Sequence, residues 1–478
     1  MTERNLSMLA DFYEFTMANG YLKNGLKDKI GYFDMFFRRI PDKGGYAIMA
    51  GLEQLCDYLN SLSFSDEDIE YLRSKKCFCE EFLEYLRNFK FECDVWAIPE
   101  GTPVFPGEPL VVVRGPVIQA QLIETMVLLT INHQSLIATK SSRIVRAADG
   151  RAVLEFGSRR AQGADGAILG ARAAYIAGAI GTACAISDRV FGVPAVGTMA
   201  HSWVQMFDTE FDAFKAYAEV YPDSCVLLID TYSVLRSGVP NAIKVAKEVL
   251  EPMGKRLKGV RIDSGDIAYL SKRTREMLDN AGLTDCKITV SNSLDEFIIR
   301  DLISQGACID SFGIGERLIT SKSEPVFGGV YKLAALEDEN GNITPKIKVS
   351  ENVEKITTPH FKQVWRLKNN IDGKYIADVL TLRDEVVDSS KPYTIFDPTH
   401  TWKKRTLTDF EAEPLLVPIF EKGKMVYSLP TIEEIRQNCA EKTSLLWSEV
   451  TRFENPHPYY VDLSHKLWDI KMSLLEKF

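Results

Sequence analysis

Apolar and aromatic side chains recur at helical spacing across residues 5–24 (Leu6, Leu9, Phe12, Tyr13, Phe15, Met17, Tyr21), opposite a polar face, and predict a first helix. An aromatic run, GYFDMFFRRI, then predicts a strand. Helices are expected over 46–62 and 66–89, the latter capped by Ser65 with Asp68 at its third position. Residues 94–113, punctuated by Pro99, Gly101, Pro103, Pro106, Gly107 and Pro109, predict short turned strands, followed by helix over 117–146.

From Arg151 the pattern becomes regular. Short apolar runs ending in polar or glycine residues alternate with helical stretches: AVLEFGSRR, VPAVGTMAHS, CVLLIDTYS, GVRIDSGD, ITVSNS and SFGIGE. The last four start roughly two to three dozen residues apart, the length of a βαβ unit with a right-handed crossover. A parallel α/β core follows, a closed or nearly closed barrel of fewer than eight units, with an open doubly wound sheet as the alternative. After Val330 the alternation stops. Residues 331–367 and 375–382 predict antiparallel strands, with turns at Glu339-Asn340-Gly341 and Asp372-Gly373, and the tail from Thr431 predicts two helices. The expected domains are 1–115 (mixed α+β), 116–330 (α/β barrel, catalytic) and 331–478, packing on the first.

Composition narrows the classes. With 57 Lys plus Arg against 66 Asp plus Glu, the chain lacks the global basic field of a nucleic-acid binder. No uncharged apolar run approaches the ~18 residues of a membrane span. Nine scattered cysteines form no disulfide framework or zinc spacing, and no basic-then-apolar leader precedes Leu6, so a reduced, cytoplasmic setting is expected.

The chemistry gathers where the predicted strands end, the place where α/β sheets bind ligands. In VPAVGTMAHSW an apolar run breaks at Gly197 and delivers Thr198, His201 and Ser202; a lone histidine there would more often be a core residue held by a carbonyl. The other ends carry Glu155, Phe156, Arg159 and Arg160; Asp230; Arg261, Asp263 and Asp266; Ser291 and Asn292; Gly313 and Gly315. One such charge is ordinarily a solvated loop residue. Six sets in register point to a site. Gly313 and Gly315, with the backbone after Ser291 and Asn292, suit N–H nests for phosphate. Arg159 and Arg261 suit forked binding of a carboxylate or phosphate. Asp230 and Asp263 should face cations, either Mg2+ or a sugar carbon gaining positive charge. His201 suits a general base or a phosphoryl-accepting nucleophile.

In combination EFGSRRAQG, GTMAHSW, LIDTY, VRIDSGD, SNSLDE and FGIGERLIT, with the opening ADFYEFTMANGY, resemble the nicotinate phosphoribosyltransferase family over nearly the whole chain. The resemblance implies an irregular parallel α/β barrel of the type II phosphoribosyltransferase kind, with a mixed α+β domain formed by the N- and C-terminal parts, in a homodimer with shared active sites. It implies transfer of phosphoribose from 5-phosphoribosyl 1-diphosphate to nicotinate with ATP as co-substrate, in NAD biosynthesis. By the same resemblance His201 is phosphorylated by ATP, and Phe156 and the partner subunit's Tyr13 sandwich the pyridine ring. Arg159, Thr198 and Arg261 bind nicotinate or ribose phosphate. Asp230 and Asp263 steady the ribosyl cation and Mg2+-bound diphosphate, the metal held chiefly through that diphosphate. Thr320 and the Gly313 region hold the 5-phosphate, with Ser202, Ser291, Asn292 and Gly315 as further binding positions. The nicotinamide-using relatives place an acid after a Gly-Thr pair; here Ala183 follows Gly181-Thr182, which favours a carboxylate ligand. A barrel glycosidase using Asp230 and Asp263 is a remoter alternative, and it leaves the paired arginines unexplained.

Overall fold

The computed structural model describes residues 4–477. Chain contacts divide it into two units, Ile137–Pro325 and a unit that joins the residues up to Leu136 with those from Val326 onward.

The unit Ile137–Pro325 is built on a five-stranded parallel sheet in the order Ala152–Glu155, Ser311–Ile314, Lys287–Asn292, Gly259–Ile262, Val226–Leu228. The Val- and Ile-rich runs suit strands covered on both faces. Register sets where they stop. Glu155 and Asn292 both pair with Ile314, Ile262 pairs with Val290, and Arg261 with Leu228. The strands therefore end close to level, and the residues just beyond emerge along one rim. Single parallel bridges, Glu155 to Thr182 and Thr182 to Ala195, extend the sheet past its first edge.

Here the expected strand in VPAVGTMAHS is corrected: only Ala195 bridges. Pro194 has no N–H for a ladder and offers only its carbonyl, which accepts Thr182 N–H at 2.9 Å. The Thr182 segment is an additional, unexpected element. Among the described residues no ladder joins Ala195 to Val226–Leu228. Beyond the last of these strands the chain turns sharply into a helix, and a side chain at Gly238 would overlap the Ile229 carbonyl, so glycine is what lets the helix start against the strand end.

In the other unit the aromatic run forms Ile30–Phe37, most of it buried, lying antiparallel between Gly329–Glu337 and Val111–Pro116. The seven-stranded sheet continues through Asp94–Ala97 to Val417–Glu421, so early and late parts of the chain share one sheet. The helix expected over 5–24 starts only at Phe12: Asn5 Oδ1 accepts Ser7 N–H at 2.8 Å in a local turn, and Asp11, its backbone extended, donates its N–H to Thr125 Oγ1 at 3.0 Å. The helix expected over 66–89 is two, Asp66–Ser74 and Glu80–Arg87, broken where Lys76 adopts a positive φ of 57°. Ser65 and Asp68 form the expected capping box. The tail adds the strand Val461–Leu463 and three helices, Ile432–Ser444, Ser448–Thr451 and His465–Leu475, rather than two. No helix among the described residues is long and apolar enough to cross a membrane.

This unit encloses a charged network. Arg366 Nε and Nη2 donate to the two oxygens of Asp378 at 2.9 and 2.5 Å, both residues fully buried, and Tyr459 donates to Asp378 Oδ1 at 3.1 Å. The guanidinium lies over the rings of Phe105 and Tyr375. Burial, reinforced by the Asp378 charge, pushes the Glu108 carboxyl well above the usual range. Removing the cation strands a buried carboxylate, so Arg366→Met should destabilise the fold by about 3–5 kcal/mol. Urea unfolding followed by tryptophan fluorescence checks this, and a loss below ~1 kcal/mol would show that the pair is dispensable.

Candidate active site

The rim of the parallel sheet surrounds a cavity of about 450 Å³ lined by Phe156, Arg159, Thr198, His201, Arg261, Asp263, Ser291, Asn292, Gly313 and Gly315 among others. Ten of the residues singled out in the sequence thus meet around one space. Asp230 stands directly behind it. Its side chain is 1% exposed; Oδ2 accepts the Asp263 N–H at 3.1 Å and the Ser264 hydroxyl at 2.6 Å. Its other oxygen is buried without a hydrogen-bond partner, 3.8 Å from His201 Nε2. Asp263 accepts the Ser291 hydroxyl through Oδ1, and its Oδ2 lies 4.0 Å from the same His201 nitrogen.

His201 opens the short helix His201–Gln205, and its Nδ1 lies 3.1 Å from Thr231 Oγ1. The ring is thus held from both sides, by a hydroxyl on one nitrogen and two carboxylates near the other. Arg261 reaches from the strand next to the Val226–Leu228 edge to the loop after Ala195. Nη1 donates to Thr198 Oγ1 at 2.7 Å and Nη2 to Met199 O at 2.9 Å. Its Nε is buried without a partner. Burial lowers the pKa of this guanidinium, partly countered by Asp263 and Asp230. Arginine starts so far above neutrality that it stays a cation. Arg159 and Arg160 follow Phe156 on an exposed single turn, Ser158–Arg160. The Phe156 ring crosses Gly313, where a Cβ would sit 2.5 Å from its Cδ2. Glycine is needed there for close approach.

Three expected positions lie apart from the cavity lining. Ser202 is exposed on the His201 helix. Thr320 donates its hydroxyl to Glu316 O at 2.8 Å, closing the last turn of a short helix. Tyr13 sits on the helix Phe12–Lys23 of the other unit, 44% exposed. Conversely, Thr231, Ser264 and Tyr217 were not anticipated; Tyr217 donates to Thr198 O at 3.2 Å. Thr231 and Ser264 each directly follow a rim aspartate, a signal that could have found them. The Met199 carbonyl leaves no trace in side-chain patterns.

A half-buried arginine, a tethered histidine and two carboxylates at the carboxyl ends of parallel strands are groups with which an α/β enzyme can hold an anion and face positive charge. Residues 8–132 match the nicotinate phosphoribosyltransferase (NAPRTase) N-terminal domain, and residues 361–471 the nicotinate phosphoribosyltransferase C-terminal domain. The chain is 44% identical to the nicotinate phosphoribosyltransferase of Bacillus subtilis, an alignment covering 99% of this chain and 96% of that one. It therefore belongs to the nicotinate phosphoribosyltransferase family. The human relative of that name is 32% identical, covering 98% and 96% of the two chains. Crystallised human nicotinic acid phosphoribosyltransferase superposes with a TM-score of 0.86 at 31% identity, covering 97% and 99%. A nicotinate-nucleotide pyrophosphorylase from Pyrococcus furiosus shares the fold, with a TM-score of 0.70 at 24% identity over 92% and 95%.

The Arg261 geometry makes a prediction. A lysine keeps the charge but cannot span both Thr198 Oγ1 and Met199 O, and each charged hydrogen bond contributes about 1.5–3 kcal/mol. Nicotinate or inorganic phosphate should bind Arg261→Lys at least tenfold more weakly by titration calorimetry; unchanged affinity for both would remove Arg261 from anion binding.

Proposed function

We infer that this chain joins nicotinate to the ribose of 5-phosphoribosyl 1-diphosphate, giving nicotinate mononucleotide and diphosphate, with ATP hydrolysed to ADP and phosphate. The observation that carries the reading is the meeting of His201, Asp263, Arg261 and Phe156 around one cavity, with the Asp230 carboxylate directly behind it, in a chain of this family. The product enters NAD biosynthesis by salvage.

The pyridine nitrogen attacks the anomeric carbon of the donor as the bond from that carbon to the diphosphate oxygen breaks. Diphosphate leaves with the electron pair, and the ring nitrogen becomes a pyridinium. Between these events the ribose carries positive charge, and the unpartnered oxygen of Asp230 with the rim carboxylate of Asp263 is placed to stabilise it. Phe156 offers a flat face to the acceptor ring, with Tyr13 of a second subunit as the opposite face in a homodimer. Arg159, Thr198 and Arg261 bind the acid or the ribose phosphate. Backbone N–H groups near Gly313 and Gly315, with Ser291, Asn292, Ser202 and Thr320, complete the phosphate and ribose contacts. His201 takes the γ-phosphoryl group of ATP on a ring nitrogen and later loses it to water.

The buried, unpaired Asp230 oxygen is suited to a cation, and Asp230 and Asp263 would hold Mg2+ directly or through water and the diphosphate. When bound, the metal supplies charge neutralisation for the leaving diphosphate. The acid is preferred over its amide because Ala183 lines the cavity without an acceptor for an amide N–H, while arginines await a carboxylate.

The fold is read as the type II phosphoribosyltransferase barrel, with residues 116–330 as the catalytic domain and the segments 1–115 and 331–478 as its mixed companion. The order of the elements in space, Val226–Leu228, Gly259–Ile262, Lys287–Asn292, Ser311–Ile314, Ala152–Glu155, Thr182, Ala195, is a cyclic permutation of their order in the chain. Such an order is that of a barrel whose last gap lies between Ala195 and Val226. The Arg261 bonds to Thr198 and Met199 support closure there. The protein is placed in the cytoplasm.

Nicotinate, nicotinamide and quinolinate should be compared with the phosphoribosyl donor, with and without ATP. Diphosphate release with nicotinate, accelerated by ATP, is expected; preference for either other acceptor overturns the assignment. His201→Ala should abolish acid-labile labelling from γ-labelled ATP and raise the donor KM, and persistent labelling would exclude His201 as the phosphoryl acceptor.

A further inference from the structure

Glu155 ends its strand fully buried with both oxygens engaged. Oε1 accepts the N–H of Gly157, and Oε2 accepts the Thr182 hydroxyl at 2.6 Å. The Thr182 oxygen in turn accepts the N–H of Cys184 at 3.0 Å. The two clasps have the same form: each side chain reaches two residues ahead along its own backbone, and the residue spanned, Phe156 or Ala183, lines the cavity. The side-chain bond between Glu155 and Thr182 joins the clasps. Backbone bonds run parallel to it, from Ala183 N–H to Glu155 O at 2.8 Å and from Phe156 N–H to Ile314 O at 2.7 Å.

There is little slack beneath this wall. A side chain at Gly157 would place its Cβ 2.6 Å from Ile319 Cβ, and one at Gly313 would strike the Phe156 ring. The tilt of that ring is therefore set by the turn Phe156–Gly157, which Glu155 closes. Burial raises the Glu155 pKa, and its two donors oppose the rise. A well-packed apolar pair would serve stability as well as a buried polar one, so the value of this pair lies in geometry rather than in strength.

We propose that Glu155 and Thr182 are positioning residues for the acceptor, fixing Phe156 and Ala183 as the wall against which the aromatic acid rests. The proposal rests on the transferase reading above. It touches neither the groups that face the donor diphosphate nor His201, and so it predicts a selective defect.

Thr182→Val keeps shape but removes the donor to Glu155 and the acceptor for Cys184. In the full-length enzyme it should raise the KM for nicotinate at least tenfold, leave the KM for phosphoribosyl diphosphate within twofold, and preserve ATP labelling of His201. Thr182→Ser, which restores the hydroxyl, should bring the nicotinate KM back to within threefold of the wild type. Melting temperatures are measured on the same samples. A lowered Tm with an unchanged nicotinate KM, or equal rises in both KM values, overturns the proposal. Should Thr182→Val not fold, Glu155→Gln decides: it keeps size and the Gly157 acceptor but turns an amide toward Thr182, so the nicotinate KM must rise at least threefold with the donor KM unchanged. A wild type inactive with nicotinate would refute the transferase reading; an active wild type whose variants keep its nicotinate KM refutes the positioning pair alone.

Discussion

A line of hydrogen bonds crosses the ends of three neighbouring strands, and the site depends on it. Ser291 donates to Asp263, the Asp263 N–H donates to Asp230, and Ser264 donates to the same Asp230 oxygen. Parallel strands alone leave their terminal loops free to splay, because the ladder stops where the strand does. Here the side chains continue the connection one residue further. The result is a fixed rim on which two carboxylates and an imidazole keep separations of about 4 Å. Using one oxygen of Asp230 for both donors also leaves the second without a partner, facing the imidazole. The structural bond and the chemically available lone pairs are thus two halves of one carboxylate.

Arg261, on the strand that leads into Asp263, plays the matching part just short of the rim. The loop after Ala195 has lost strand pairing through Pro194 and Gly197, and the guanidinium replaces that pairing with bonds to Thr198 and Met199. The same cation then lies partly desolvated beside the cavity, where its field on a bound anion is screened less than in bulk water. Burying it with Nε unpaired is costly, and an anionic ligand offsets that cost. Affinity for acids therefore follows from how the sheet edge is held.

Much of this was legible in the residues, because the signals were of a kind that a linear pattern carries. Each strand-end cluster announced itself as an apolar run followed at once by Asp, Arg, Ser or Gly. Each run, three to six residues long, stops at such a cluster, and that shared ending is what makes a common rim predictable. What was not legible depended on partners remote in the chain. The bridge at Thr182 occupies one residue, too short for any periodicity. The strand at Val193 failed because its proline counted as apolar when its missing N–H was the decisive property. The start at Phe12 was missed because the Asp11 N–H is taken by the Thr125 hydroxyl, more than a hundred residues away in the chain. The strands between Tyr393 and Met425 went unread because they are short and mostly half exposed, so neither alternation nor a continuous apolar run marks them.

The placement of His201 shows how ATP and phosphoribosyl transfer can share one centre. In the proposed cycle a phosphoryl group on this ring adds up to two negative charges beside Asp230 and Asp263. Unit charges 4 Å apart interact by about 4 kcal/mol at an effective dielectric of ~20, so the phosphorylated state is electrostatically unfavourable by itself. Positive charge must offset it. Arg261 supplies part, and the developing ribosyl centre of the donor would supply more. Phosphorylation therefore raises the demand for a cation in the same place where the transition state creates one. Once diphosphate departs, the repulsion returns and favours loss of the phosphoryl group. Coupling in this reading needs no distant conformational relay, because one imidazole between two carboxylates makes each charge-changing step a condition for the next.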